Sequence, residues 1–464
     1  MTPEAFRAQA HQLVDWMADY LRDVPALPVT PAVQPGQIRA ALPSAAPPAG
    51  ESMEAIIEDF RRLIVPGMTH WSHPGFFGYF PAGSSPESLL AEMLTATLGA
   101  QCMSWQTSPA ATELEQVTMA WLRQLIGLPD SFTGVIQDTA STGTLVALIT
   151  ARDRCGPPHD RLTVYTSAEA HSSVLKGARM AGFLGDRVRT VAVDERFAMR
   201  ADRLAEMLDA DLAAGLVPAA IVATIGTTAS TGVDPVPALA DLAERHSAWL
   251  HVDAAYAGSA AILPECRHHF AAVERADSYL MNPHKWLGTH FDCSAYFVRD
   301  VPALLRSFSA SPEYLRTAHD TRVANFRDWG IPLGRRFRAL KLWFVLRSYG
   351  VTGLQTMLRA HLAMAQRFAA GVAATEGWEL VAPVEFGLVC FRHRPAGMPD
   401  GEALDRYNQA ILERTNASRR VFLTHAVLNG RYTLRLALGH PGTSQDAVDE
   451  AWALLQGAVH SSEQ

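Results

Sequence analysis

Two side chains that could do covalent chemistry sit 32 positions apart, Asp253 in HVDAAYAG and Lys285 in MNPHKWLGTH, and each closes an apolar, strand-like run. Lys285 stands among His284, Trp286 and Tyr279 with no adjacent carboxylate. It is either a snorkelling lysine whose ammonium reaches water or an amine kept for attack on a carbonyl, and desolvation would lower its pKa in the direction that attack requires. A carboxylate at the end of a buried strand is costly without a cation beside it. Asp253 is therefore a helix cap, half of an ion pair, or the partner of a protonated heterocyclic nitrogen.

A third feature is GVIQDTASTGTLVALITARDR, residues 134–154, in which a short strand runs through a loop of Thr, Ser, Ala and Gly into a helix. Exposed N–H groups there suit a phosphate, although Ser/Thr-rich helix caps are common for structural reasons alone. His171, in AEAHSSVLK, follows the strand LTVYTS. It is a packed or capping histidine, or a ring stacked on the face of a flat ligand. An amine for an aldehyde, a carboxylate for a pyridinium nitrogen and a loop for a phosphate are together what pyridoxal 5'-phosphate requires.

These residues need a scaffold that brings strand ends together. From about residue 86 to 355 the chain alternates short apolar runs (GVIQ, LTVYTS, VRTVAVD, AAIVATIG, WLHVDAAYAG, SYLMN, SAYFVR) with helical segments such as ADRLAEMLDADLAAG and VPALADLAERH. That alternation predicts an α/β domain with a mostly parallel sheet covered on both faces, whose ligands lie at the carboxyl ends of the strands. Residues 1–85, an amphipathic helix (Phe6, Leu13, Val14, Met17, Leu21), a Pro/Ala-rich connector and a second helix from about Ser52, are expected to form an arm. Ser85 and Pro86 make an N-cap and first-turn pair for the helix that follows. Residues 356–464, with FGLVCFRHR and RYTLRLALG, are expected to form a small C-terminal α+β domain.

The 464 residues are 48% hydrophobic with a formal charge of -7, which suits a small-molecule enzyme and argues against nucleic acid or an anionic membrane as partner. Five scattered cysteines, none in CxxC spacing, suggest neither a disulfide framework nor a metal site. The N-terminus does not read as a signal peptide, and no apolar run approaches a membrane span, so a cytoplasmic location is expected.

Taken together, NPHKW, HVDAAYAGSA, AHSSV and IPLGRRFRALKLWFVLRSYG resemble the group II pyridoxal-phosphate decarboxylases, specifically the aromatic L-amino acid decarboxylase family, and the likeness covers nearly the whole chain. The resemblance implies the fold of the aspartate aminotransferase superfamily (fold type I) and an obligate homodimer with the N-terminal arm packed on the partner. It implies Lys285 as the Schiff-base lysine, with His284 beside it, and Asp253 as the pyridine partner. Ala255 would lie beneath the ring and His171 above it. Ala140, Ser141 and Asn282 match phosphate-binding positions, and Thr228 a threonine near the ring. Substrate contacts would come from Trp71, Tyr79, Phe80, Pro81 and Ala82, with Gln101 and Met103 donated by the second subunit. The implied reaction is decarboxylation of an aromatic L-amino acid (phenylalanine, tyrosine, tryptophan or DOPA type) to its amine and CO2.

Some positions depart from the animal members of that family. Ala82 replaces a threonine near the substrate's ring hydroxyls, Met103 a phenylalanine and Gln101 an isoleucine. Phe326 stands where a loop tyrosine is expected to return a proton after CO2 leaves, and phenylalanine has no proton to give. This makes an aromatic aldehyde synthase, which releases aldehyde, ammonia and peroxide, the main alternative. His171, His319 or Tyr314 could supply the proton instead, and the loop around 315–330 is expected to matter for catalysis. Two other readings are an aminotransferase, with Arg431 or Arg435 clamping the α-carboxylate, and a cofactor-free scaffold.

Overall fold

The computed structural model describes residues 1–309 and 322–460. Its centre is a seven-stranded sheet made of β1 (Thr133–Gln137), β2 (Leu162–Ser167), β3 (Val188–Val191), β4 (Val217–Thr224), β5 (Trp249–Asp253), β6 (Ser278–Met281) and β7 (Ser294–Val298). The strand order is β1-β7-β6-β5-β4-β2-β3. Only β7 runs against its neighbours β1 and β6, and every other pairing is parallel. All of β2, β5, β6 and β7 is buried, which is what helices on both faces of a sheet produce and why these strands read as continuous apolar runs. The apolar runs of the sequence coincide with these strands to within a few residues.

A second sheet, wholly antiparallel, contains β8 (Trp378–Leu380), β9 (Leu388–His393), β10 (Thr424–Leu428) and β11 (Arg431–Ala437) in the order β10-β11-β9-β8. Here β9 and β11 are the two runs noted in the sequence. The short β8 and the half-exposed β10 were not legible. A long helix, Arg338–Ala374, bends at Gly350 (φ 58°) and joins the two parts. Its Leu340, Leu354 and Leu358 pack into the core of the large sheet, whereas Met364, Phe368 and Val372 pack into that of the small sheet. The division expected between 355 and 356 falls just after this break, within the second part of the helical run.

In the arm, the helix Pro3–Asp23 is capped by Thr2, buries none of its residues in this chain and leaves Phe6 and Val14 exposed. The cap expected at Ser85 is present: its hydroxyl accepts from the Ser88 N–H at 3.3 Å at the start of the helix Pro86–Leu98. Among the described residues no helix is long and apolar enough to cross a membrane, and no group of His, Cys, Asp and Glu could hold a metal ion.

The segment that follows residue 330 is pinned by a buried ion pair. Arg335 meets Glu115 through two N–H···O bonds of 2.7 and 3.1 Å and donates to the Ile136 carbonyl, and Glu115 accepts from the Ile136 N–H at 2.8 Å. One pair thus joins β1, the helix Pro109–Ile126 and the IPLGRR segment. Removing one member strands the other charge without water. Glu115→Ala is expected to lose about 3–5 kcal/mol of stability, read as a lower urea midpoint; an unchanged midpoint would show that the pair contributes nothing.

Candidate active site

The carboxyl ends of β4, β5 and β6 meet at one cavity of about 210 Å³. In the parallel register Thr224 lies beside Asp253, and Asp253 beside Leu280, so the last residue of β5 and the turn after β6 share one edge. Asn282 ends that edge, and the single helical turn Pro283–Trp286 brings Lys285 into the same cavity. Asp253, Ala255, Asn282, His284 and Lys285 all line it.

Burial raises the Asp253 pKa, with Lys285 and His171 opposing, while its Oδ1 accepts from the Ala255 N–H at 2.9 Å. The Lys285 amine lies 5.3 Å from the centre of the Phe80 ring. Burial lowers its pKa, Asp253 opposes this, and Arg435 adds to the lowering. An amine so placed is closer to the uncharged form that attacks a carbonyl.

The helix Ala140–Cys155 begins at the cavity, with Thr139 as its cap accepting from the Thr142 N–H, and Thr139, Ala140 and Ser141 all line the wall. His171 has the capping role read from the sequence and also lines the cavity. It caps the helix Ser172–Met180, its Nδ1 accepting from the Ser173 N–H at 3.2 Å. Accepting at Nδ1 places the proton of the neutral ring on Nε2. Burial, with Lys285 second, holds its pKa below the usual range.

Pyridoxal phosphate can be tested against this arrangement. Among the described residues the buried Thr224 Oγ1 and Asn282 Oδ1 atoms, on residues that line the cavity, have no hydrogen-bond partner. Buried polar atoms are rarely left unsatisfied unless a ligand completes them. A carboxylate, an amine, a helix N-terminus and the small side chain of Ala255 surround the same space, so the residues present fit the cofactor. Phe80 stacks on Tyr256 (3.8 Å, 13°) and Tyr256 on Trp286 (4.7 Å, 9°), forming an aromatic wall directly behind Lys285.

Of the residues expected to touch substrate, only Phe80 lines this cavity. Trp71 and Tyr79 stack on each other at 5.8 Å and are 40% and 55% exposed, outside it. Pro81 and Ala82 follow Phe80 but do not reach the cavity wall. Gln101 accepts from the Arg335 N–H and the Met103 carbonyl from the Arg327 N–H, so neither enters this chain's own cavity.

Phe326 does not line this cavity. It is 3% exposed, packs 5.5 Å from Trp329 and lies under the Arg335 guanidinium at 4.8 Å, lining a separate cavity of about 190 Å³ with Met119, Phe132 and Gly134. An apolar ring in a loop gains most by entering the core, and this one has done so. In this chain its ring faces away from the cavity that Lys285 lines. Tyr314 and His319 lie outside the described residues. Phe326→Tyr is expected to leave the amine-to-peroxide ratio unchanged and to cost about 1–3 kcal/mol from a buried hydroxyl; a changed product ratio would restore a catalytic role at 326.

The cavity also contains Thr139, Ser173, Thr224, Gly226 and Tyr256, which had not been singled out. Thr224 and Tyr256 could have been found by asking which residues end or follow each strand. Gly226 is required: at φ 82° a Cβ would meet that of Ala257 at 2.6 Å.

Comparison with known proteins agrees with this geometry. Residues 35–394 match the pyridoxal-dependent decarboxylase conserved domain. Tryptophan decarboxylase 2 of Oryza sativa subsp. japonica is 43% identical, covering 98% of this chain and 95% of its own. Phenylacetaldehyde synthase of Arabidopsis thaliana is 42% identical, covering 98% and 96%. The crystal structure of Oryza sativa TDC with PLP and tryptamine superposes with a TM-score of 0.97 at 39% identity, covering 100% of this chain and 99% of that one. With the lysine, the carboxylate and the unsatisfied polar atoms gathered at one sheet edge and the match running through almost the whole length, the chain belongs to the pyridoxal-dependent decarboxylase family and has its fold type I architecture.

Proposed function

We propose that the protein removes the α-carboxylate of an aromatic L-amino acid as CO2 and releases the aromatic amine. The observation that carries this reading is the convergence of Lys285, Asp253 and the unpartnered Asn282 and Thr224 oxygens on one cavity. Pyridoxal phosphate bound there supplies an electron sink for the bond to the carboxylate.

Each residue then has a part. Lys285 would hold the cofactor's aldehyde carbon through its amine. Asp253 would keep the pyridine nitrogen protonated, since a buried carboxylate is stabilised by a cation beside it. Ala140 and Ser141, at a helix N-terminus, and Asn282 would hold the phosphate, with His171 and Ala255 beside the ring and Thr228 and His284 supporting the site. Phe80 and Tyr256 offer a flat apolar wall, which suits an aromatic side chain. His171, carrying its proton on Nε2, is a donor within the described cavity for the proton that replaces CO2.

The aldehyde synthase alternative rested on Phe326, which does not line the cavity of Lys285, although a phenylacetaldehyde synthase is among the relatives. The aminotransferase alternative needs an arginine fork free for the α-carboxylate. Arg435 has four of its five N–H groups engaged already. A homodimer is supported by the exposed Leu90, Leu94 and Leu98 on one helix and Phe6 and Val14 on another, apolar surface that a second copy would cover.

The test is turnover of phenylalanine, tyrosine, tryptophan and L-DOPA with and without oxygen, scored for amine against aldehyde and peroxide. Amine and CO2 in equal amounts with no peroxide are expected. Stoichiometric peroxide would move the assignment to aldehyde synthesis.

A further inference from the structure

Arg435, on β11, is a buried cation, 3% exposed, and among the described residues no carboxylate pairs with it. Its Nε donates to the Ala229 carbonyl (3.2 Å), its Nη1 to the Thr424 hydroxyl (3.0 Å) and its Nη2 to the carbonyls of Thr228 (2.6 Å) and Tyr79 (3.4 Å). Three of these acceptors lie on two short segments that carry Gly226, Thr228 and Phe80 into the cavity wall. One guanidinium therefore ties the small sheet to both segments. It also stands 5.5 Å from the centre of the Phe80 ring, the same ring that Lys285 approaches to 5.3 Å.

We propose that Arg435 is a positioning residue for Lys285, bracing the cavity wall and placing a permanent positive charge at Phe80 that disfavours a second one on the lysine amine. The proposal rests on the reading of Lys285 as the cofactor lysine and adds a reason why that amine can be uncharged beside Asp253. Two buried cations sharing one apolar ring repel through a medium that screens poorly. The groups around Lys285 are accounted for. Asp253 favours the charged amine, while His171 and His284 are themselves held toward neutrality by burial. Around Arg435 stand Cys390, Tyr256 and His425. Burial raises the first two, and burial with Arg435 lowers the third, so none carries a neutralising negative charge near pH 7.

The test uses cofactor-free enzyme. Brief acetylation with acetic anhydride across a pH series, followed by peptide mapping, gives the titration midpoint of Lys285 without any turnover. Arg435→Lys keeps the charge and loses most of the bonds, whereas Arg435→Gln loses both. The wild type and R435K are expected to share a midpoint within a few tenths, with R435Q about one unit higher. An R435Q midpoint equal to the wild type, or an R435K midpoint shifted as far as R435Q, would overturn the proposal. Should R435Q not fold, R435K decides alone, since a purely structural arginine predicts that losing its bonds moves the midpoint. Borohydride reduction and mapping of the wild-type holoenzyme tests the underlying assignment separately. Label absent from Lys285 would remove the cofactor lysine while leaving the acetylation result readable.

Discussion

Lys285→Ala is expected to yield a folded protein whose turnover falls by about 10⁴-fold, because the covalent hold on the cofactor aldehyde and its handover to the substrate both require that amine. Nothing in the core depends on the lysine. Its turn is held by its own backbone N–H on the Asn282 carbonyl and by Trp286, whose indole N–H donates to the His361 Nδ1 at 2.9 Å. Circular dichroism and the urea midpoint should therefore stay close to the wild type. The visible absorbance of lysine-bound cofactor should vanish, and borohydride should no longer fix label to this peptide. A variant retaining a tenth of wild-type turnover would mean that another residue bears the cofactor.

Asp253→Asn separates a second function from the first. Asparagine keeps the shape and can still accept from the Ala255 N–H, but it cannot hold a proton on a pyridine nitrogen by charge. Covalent capture by Lys285 should survive while turnover drops by about 10³-fold, the size of losing one directed electrostatic contact in a dry site. The cofactor-free variant should behave in the opposite sense. Burial raises the Asp253 pKa above its unfolded value, so the native carboxyl binds its proton more tightly than the unfolded one. Its contribution to stability is then present below the usual carboxylate range and is lost as pH rises through the native pKa. Asparagine has no such loss, so cofactor-free D253N should be at least as stable as the cofactor-free wild type at pH 7, with the difference shrinking toward acid. Full turnover in D253N, or a variant less stable at pH 7, would count against this role.

These two effects explain why Lys285 and Asp253 were legible in one dimension. A charged residue closing a run of buried apolar residues is an energetic anomaly visible without coordinates, and a parallel sheet guarantees that such strand ends share an edge. The same logic recovered all seven strands of the large sheet. It did not reach Phe326, because position along a loop carries no information about whether a ring turns toward the cavity or into the core beside Trp329 and Met119. Nor does aromatic character place a ring: Trp71 and Tyr79 stack on one another and do not line this chain's own cavity.

What the chain determined by itself is therefore the set of strand-terminal groups, the order of the α/β units and the kind of cofactor they suit, since each follows from local periodicity and from the cost of burying charge. What only the tertiary structure decided is which distant groups face one another. Arg435 is separated from Lys285 by 150 positions of sequence and from Tyr79 by 356, yet it bonds the Tyr79 carbonyl and shares the Phe80 ring with Lys285. Such meetings arise from the packing of two sheets along one bent helix, a balance of many small contacts that no short run of residues encodes.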